Sequence, residues 1–226
     1  MQSFIDGCRE APAFTRLTRL LGEIVESPAL HARFLNSLSL LEYIGVRKML
    51  KARRAEEMDL AGLQHVLEEA VHATRLKKFA HKVAAGGVCV DGFGAEHTLA
   101  GGAAEDYFQA VDRAAATALG GADGEACYAL TSAAIEIRAR CLYPAYQEIL
   151  SASGSAVSVA SILADEEQHL VDMTALLPAR VPRWQETLAR VMQDEAHAFE
   201  VLLDALESAV SRPSGERAAA TDSSAS

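Results

Sequence analysis

Apolar residues recur every three to four positions through most of this chain, the period of helices that turn one face inward. Read with its punctuation, the pattern predicts seven helices. The first runs from about Ala13 to Glu26. Ser27 and Pro28 then supply the N-cap and first helical residue of a second, which continues through "RFLNSLSLLEYIGVRKMLKAR" to about Arg54. Asp59 caps the third, which ends near Ala85, stopped by Gly86 and Gly87. Residues 86–102, "GGVCVDGFGAEHTLAGG", are glycine-rich and expected to be irregular. The last four helices are expected at about Ala103–Leu119, Asp123–Leu150, Val157–Leu177 and Arg183–Val210, with Pro144 kinking the Asp123–Leu150 helix. Residues 1–211 therefore read as one helical domain. Residues 212–226, "RPSGERAAATDSSAS", have lost all periodicity and are expected to be disordered.

Composition agrees with an all-α fold: half the residues are apolar, only 6% are aromatic, and there are six prolines. The net charge of −10 argues against nucleic acid or an anionic membrane as partner, since both require a basic surface. Arg47, Lys48, Lys51, Arg53 and Arg54 do cluster, at what reads as the exposed end of a helix, where cations suit the dipole. Cys8, Cys89, Cys127 and Cys141 are scattered singles with no CxxC, a pattern of reduced thiols rather than a disulfide framework or a zinc–thiolate site. No apolar run approaches the roughly 18 residues of a membrane span. A cytoplasmic protein is expected.

The chemistry lies in four glutamates and two histidines. Glu69–His72 and Glu166–His169 are the two ExxH matches in the sequence, and at three residues' spacing each pair shares a helix face. With 20 Glu and 7 His among 226 residues, two matches alone would mean little. What precedes each decides the matter. Glu42 is the only acid between residues 27 and 55, inside "SLSLLEYIGV", and Glu136 the only one between 126 and 147, inside "ALTSAAIEIRARCLY". A lone carboxylate on an apolar helix face is costly to bury unless it is paired or bound to a cation. The order is thus Glu, ExxH, Glu, ExxH, with a turn near the middle of each half. Two antiparallel hairpins would aim four Glu and two His into one centre, the donor set of two-metal carboxylate bundles. Carboxylates with imidazoles and no thiolates suit iron or manganese.

On these motifs, over roughly residues 28–178, the chain resembles the ferritin-like di-metal carboxylate superfamily. The resemblance implies a four-helix ferritin-like bundle with additional flanking helices. It makes Glu69 and Glu166 bridging ligands, Glu42 and Glu136 terminal ones, and His72 and His169 one nitrogen donor for each metal. It implies two iron ions, with manganese as the other possibility, and an oxidoreductase that activates O2 or peroxide on a small organic substrate. The alternatives are ferroxidase and metal storage, or manganese catalase-like chemistry. The enzyme reading requires an external electron donor, and a homodimer is compatible with it.

Neighbouring residues carry subsidiary expectations. Asp165 is expected to orient a ligand histidine from the facing helix, whereas Glu68 and Glu167 are expected to face water. Arg140, one turn after Glu136, is expected to form a structural ion pair with an acid such as Asp165, with binding of a substrate carboxylate or phosphate as the alternative; Arg138 should point away. His65 reads as a hydrogen-bonded core histidine, with an extra ligand or a proton relay as the other possibilities. His197, in "QDEAHAFE", mimics the motif without a solitary acid preceding it and is expected to be a decoy. His31, His81 and His97 read as surface or loop histidines, and Tyr43, Tyr143 and Tyr146 as core or interface aromatics. Gly45, Ala73, Ala133 and Ala139 are small enough to leave room beside the ligands.

Overall fold

The computed structural model describes residues 1–52, 55–85, 87–121 and 124–212. Among them the chain forms eight α-helices, one 3₁₀ turn at Ala55–Glu57 and no strand. The helices are α1 (Gln2–Glu10), α2 (Pro12–Glu26), α3 (Pro28–Ala52), α4 (Leu60–Val83), α5 (Gly101–Leu119), α6 (Gly124–Ala152), α7 (Ala160–Arg180) and α8 (Trp184–Ser211). Seven correspond to the expected segments. The predicted end at Arg54, the stop at Gly86, the start at Asp123 and the tail from Pro213 onward lie outside the described residues.

Local chemistry explains several boundaries. Ser27 Oγ accepts from Leu30 N at 3.5 Å, and Asp59 Oδ1 accepts from Gly62 N at 2.8 Å, so the two predicted caps each satisfy an orphan donor. Gly120 ends α5 in the left-handed region at φ 71°. The helix missed by the periodicity is α1. Its nine residues, "QSFIDGCRE", bury only Ile5 and Cys8, too few to register as an apolar stripe.

That helix also completes α6. Pro144 has no N–H to give the carbonyl of Arg140 four residues earlier. The side chain of Arg9 on α1 donates to that oxygen instead, at 3.2 Å. With the gap filled, α6 runs through Pro144 to Ala152.

Three helix pairs dominate the packing: α3 with α4, α6 with α7, and α5 with α8. The first two pairs meet through α4 and α7, and the order of their contacts fixes the direction. Glu68 reaches His169, His72 reaches Asp165, Arg75 reaches Ser161 and Lys82 reaches the carbonyl of Ala156. Numbers rise on one helix as they fall on the other, so α4 and α7 are antiparallel. Helix α6 meets α3 through Tyr143–Glu42 and Tyr146–His31.

The glycine-rich connection between α4 and α5 is irregular, as expected, but it is pinned. Lys77 Nζ donates to the carbonyls of Val90, Asp91 and Gly92 and to Asn36 Oδ1. Asn36 Nδ2 in turn holds the carbonyls of Gly92 and His97. Ser37 Oγ, from α3, both receives the N–H of Leu99 and donates to its carbonyl.

Candidate metal centre

The buried stripe of α4 contains His65, Glu69, His72, Leu76 and Ala80; that of α7 contains Ile162, Glu166, His169, Met173 and Leu177 at the same spacing. A helix repeats its face every three or four residues, so each stripe presents its Glu and His together. Helix α3 adds Glu42 and α6 adds Glu136. All six expected donors come together between the two helix pairs.

Two groups form around the shared Glu69. Glu42, Glu69, His72 and Glu166 offer one donor atom each, all within 4.8 Å of one another, and so do His65, Glu69, Glu136 and His169. His72 Nδ1 lies 3.2 Å from Glu166 Oε1, and His169 Nδ1 lies 3.1 Å from Glu69 Oε1. His65 Nε2 lies 3.3 Å from Glu69 Oε1. The sequence favoured a core role for His65; the fold puts it against the donors.

The outer side of both candidate histidines, His72 and His169, is tied down reciprocally. His72 Nε2 meets Asp165 Oδ2 at 2.9 Å, and His169 Nε2 meets Glu68 Oε2 at 3.0 Å. Each acid directly precedes the ligand glutamate of the opposite pair. Asp165 thus has its expected partner, and Glu68, expected to face water, does the same work. The signal was present in the sequence as an acid before each ExxH. Arg140 does form an ion pair, but with Glu167 at 3.4 Å rather than with Asp165, so it does not touch the cluster's supports.

Burial and mutual charge shift the protonation of the whole cluster. Burial, followed by the negative charge of Glu69 and Glu166, pushes the Glu42 carboxyl well above its usual range. Burial and then Glu166 do the same to Glu136. Burial opposes ionisation of Glu69, yet the adjoining imidazoles of His169 and His65 outweigh it and hold this group at about 2. Glu166 is lowered against the same burial by Glu136, His169 and His72. Burial works against a charged His169, but Glu166 and Glu69 overcome it and raise the imidazole to about 11. His72 is raised in the same way, its burial outweighed by Glu166 and Asp165.

Even so, four buried atoms of the cluster lack a hydrogen-bond partner: His72 Nδ1, His169 Nδ1, Glu136 Oε2 and Glu166 Oε1. Leaving such groups unsatisfied costs about 1–3 kcal/mol each. A cation among them would give each lone pair a partner, and the set of hard carboxylates with imidazoles fits a divalent metal. The buried Glu and His side chains can therefore hold metal.

Two residues shape the surroundings. Tyr143, read as a packing aromatic, donates its hydroxyl to Glu42 Oε1 at 2.5 Å. A β-carbon at Gly45 would lie 3.4 Å from Glu69 Oε2. Glycine there and Ala139 opposite both line a cavity of about 390 Å³ that reaches Glu42, Glu69, Glu136 and Glu166. Leu38, Phe108, Ile135 and Leu142 make it mainly apolar, and Lys48, Lys51 and Asp112 stand at its more exposed end. Lys48 pairs with Asp112 at 2.6 Å, so part of the basic cluster belongs to this rim rather than only to a helix end.

The remaining candidates separate cleanly. His197 is exposed on α8 and joins neither group. Its neighbour Glu195 is wholly buried and accepts from Nε and Nη2 of Arg138, at 2.8 and 2.7 Å, and from the hydroxyl of Tyr107 at 2.7 Å. Arg138, expected to point away, lines the same cavity as the four glutamates and is held in a buried ion pair that the sequence did not suggest. His31 is a correction. It is buried beside the Tyr146 hydroxyl at 2.5 Å, and burial lowers it to about 4. His81 is exposed as expected, and His97 sits in the loop with Nδ1 3.0 Å from the Cys89 carbonyl.

Among the described residues no helix is long and apolar enough to cross a membrane. Comparison with family profiles, with curated proteins and with solved structures finds no match.

Proposed function

We propose that this chain is a ferritin-like two-metal carboxylate oxidoreductase, in which α3, α4, α6 and α7 form the ligand-bearing bundle and α1, α2, α5 and α8 flank it. The observation that carries the reading is the pair of overlapping donor groups, sharing Glu69 and opening onto one apolar cavity. Glu42, Glu69, His72, Glu136, Glu166 and His169 would hold two ions, iron by preference and manganese as the other candidate. Bound there, the ions would supply redox chemistry on O2 or peroxide, with electrons from an external donor.

The protein's own contribution is positional. An Nε2–H donated by His72 to Asp165, or by His169 to Glu68, leaves the Nδ1 lone pair facing the cluster and fixes the ring. Tyr143 holds Glu42 by its hydroxyl and can pass a proton to that carboxylate or take one from it. Gly45 keeps space open beside Glu69. The cavity's apolar lining excludes water and favours a small organic substrate of low polarity. That lining is what sets this reading above metal storage or simple peroxide disproportionation, neither of which needs an apolar chamber beside the donors.

Metal analysis of protein purified without air tests it. The expected result is two iron or manganese ions per chain, and O2 consumption by the reduced protein that rises when an apolar substrate is added. Zinc alone, with no uptake of O2 after reduction, overturns the enzyme reading. Assembly into a closed 12- or 24-chain particle by gel filtration would favour storage.

A further inference from the structure

The stripes of α4 and α7 match position for position in type except one turn before the glutamate, where α4 has His65 and α7 has Ile162. His65 is buried, its ring centroid is 4.1 Å from that of His169, and its donor nitrogen falls within the 4.8 Å group of Glu69, Glu136 and His169. The other group has a single imidazole, His72, beside Glu42, Glu69 and Glu166. Ile162 is fully buried and can donate nothing.

We propose that His65 is a seventh metal donor, which makes the two metal positions unequal and sets the order in which they fill. The inference rests on the two-metal reading of the site. One position offers two imidazoles and two carboxylates, the other one imidazole and three carboxylates. Imidazole suits iron, cobalt and zinc, whereas carboxylate-rich sites suit manganese. The His65 position therefore takes the first Fe²⁺ or Co²⁺, and the Glu42 position fills second and tolerates Mn²⁺. The internal pseudo-symmetry of the chain is broken at the one residue that distinguishes the two ions.

The test is anaerobic titration of metal-free protein with Co²⁺, followed by calorimetry and by visible absorption, which reports the nitrogen donors around cobalt. Wild-type protein is expected to bind two ions in two steps, the first at least about tenfold tighter, the scale on which supporting groups alter metal affinity. His65→Leu is expected to weaken the first step by at least about tenfold and to shift its absorption bands, while the second step stays put. His65→Gln keeps a hydrogen-bond donor for Glu69 without the imidazole, and the same loss is expected. An unchanged cobalt spectrum in either folded variant, or a first step restored by His65→Gln, overturns the proposal, since a histidine that only positions Glu69 would give that result. If wild-type protein binds fewer than two ions, the two-metal reading itself fails, whatever the variants do.

Discussion

Filling the centre with two divalent ions should drive about three protons or more into solution at neutral pH, because the donors must be deprotonated to bind. The number follows from the protonation of the empty cluster. Glu42 and Glu136 are pushed up by burial and by neighbouring carboxylates, so they remain carboxylic acids. His169, raised to about 11, remains imidazolium, and His72 is raised in the same direction. Glu69 and Glu166, both lowered, are already ionised. Two acids and the His169 imidazolium must therefore each give up a proton, and His72 adds to them to the extent that it is protonated. In the filled state the buried charge balances, four carboxylates against two divalent ions.

Titration calorimetry in buffers of different ionisation enthalpy reads the released protons as the slope of apparent against buffer enthalpy. The same arithmetic sets the pH dependence of stability. For the four raised groups the folded state holds protons that the unfolded state releases above its usual values of 4.5 for Glu and 6.5 for His. Their contribution is complete below those values and is lost as pH rises toward the raised ones, up to about 11 for His169. Glu69 and Glu166 act oppositely, but only below pH 4.5, where their contribution fades as pH falls toward about 2 for Glu69. The empty protein is thus expected to lose thermal stability between pH 5 and 9, while the metal-filled protein gains it over the lower part of that range. Release of fewer than two protons, or an empty protein that becomes more stable from pH 5 to 9, would refute the assignment of protons within the cluster.

Three further outcomes are expected. Glu136→Ala and His169→Ala should each weaken metal binding by at least about a hundredfold, whereas His197→Ala should leave the metal content of wild type, as measured by metal analysis after dialysis. Glu195→Ala strands the buried guanidinium of Arg138 and the hydroxyl of Tyr107, and should cost about 3–5 kcal/mol in urea denaturation of the metal-free protein; a cost under about 1 kcal/mol would show that the pair relaxes into solvent. Ala139→Leu places extra methylenes in the cavity and should weaken binding of an apolar fluorescent probe by at least about fivefold, with metal content unchanged.

How much of this could be read from the residues alone depends on what a helix reports about itself. Periodicity marks the face a residue occupies on its own helix, so a lone Glu42 or Glu136 among apolar neighbours announces a buried carboxylate. The ExxH spacing announces a Glu and a His side by side. Those local facts were enough to single out the six side chains that come together in the buried cluster, and for seven helices. The acid preceding each ExxH was equally visible, yet the role of Glu68 emerged only with the antiparallel register of α4 and α7, which sets it against His169.

The residues that escaped all act between helices. Tyr143 reads like any packing aromatic until α6 lies against α3 and its hydroxyl reaches Glu42. Glu195 and Arg138 lie 57 positions apart, and nothing local to either says that the other will neutralise it. Helix α1 buries only two residues of its own, and its use to α6 is to answer a carbonyl that Pro144 leaves open. His65 shares the ligand face in sequence, but its nearness to His169 depends on the approach of α7. The sequence by itself determined which side chains face inward, because a helix's period is a property of one segment. Which inward faces meet, and at what height, was decided only by tertiary packing, because register between helices is set by the joint fit of all their surfaces.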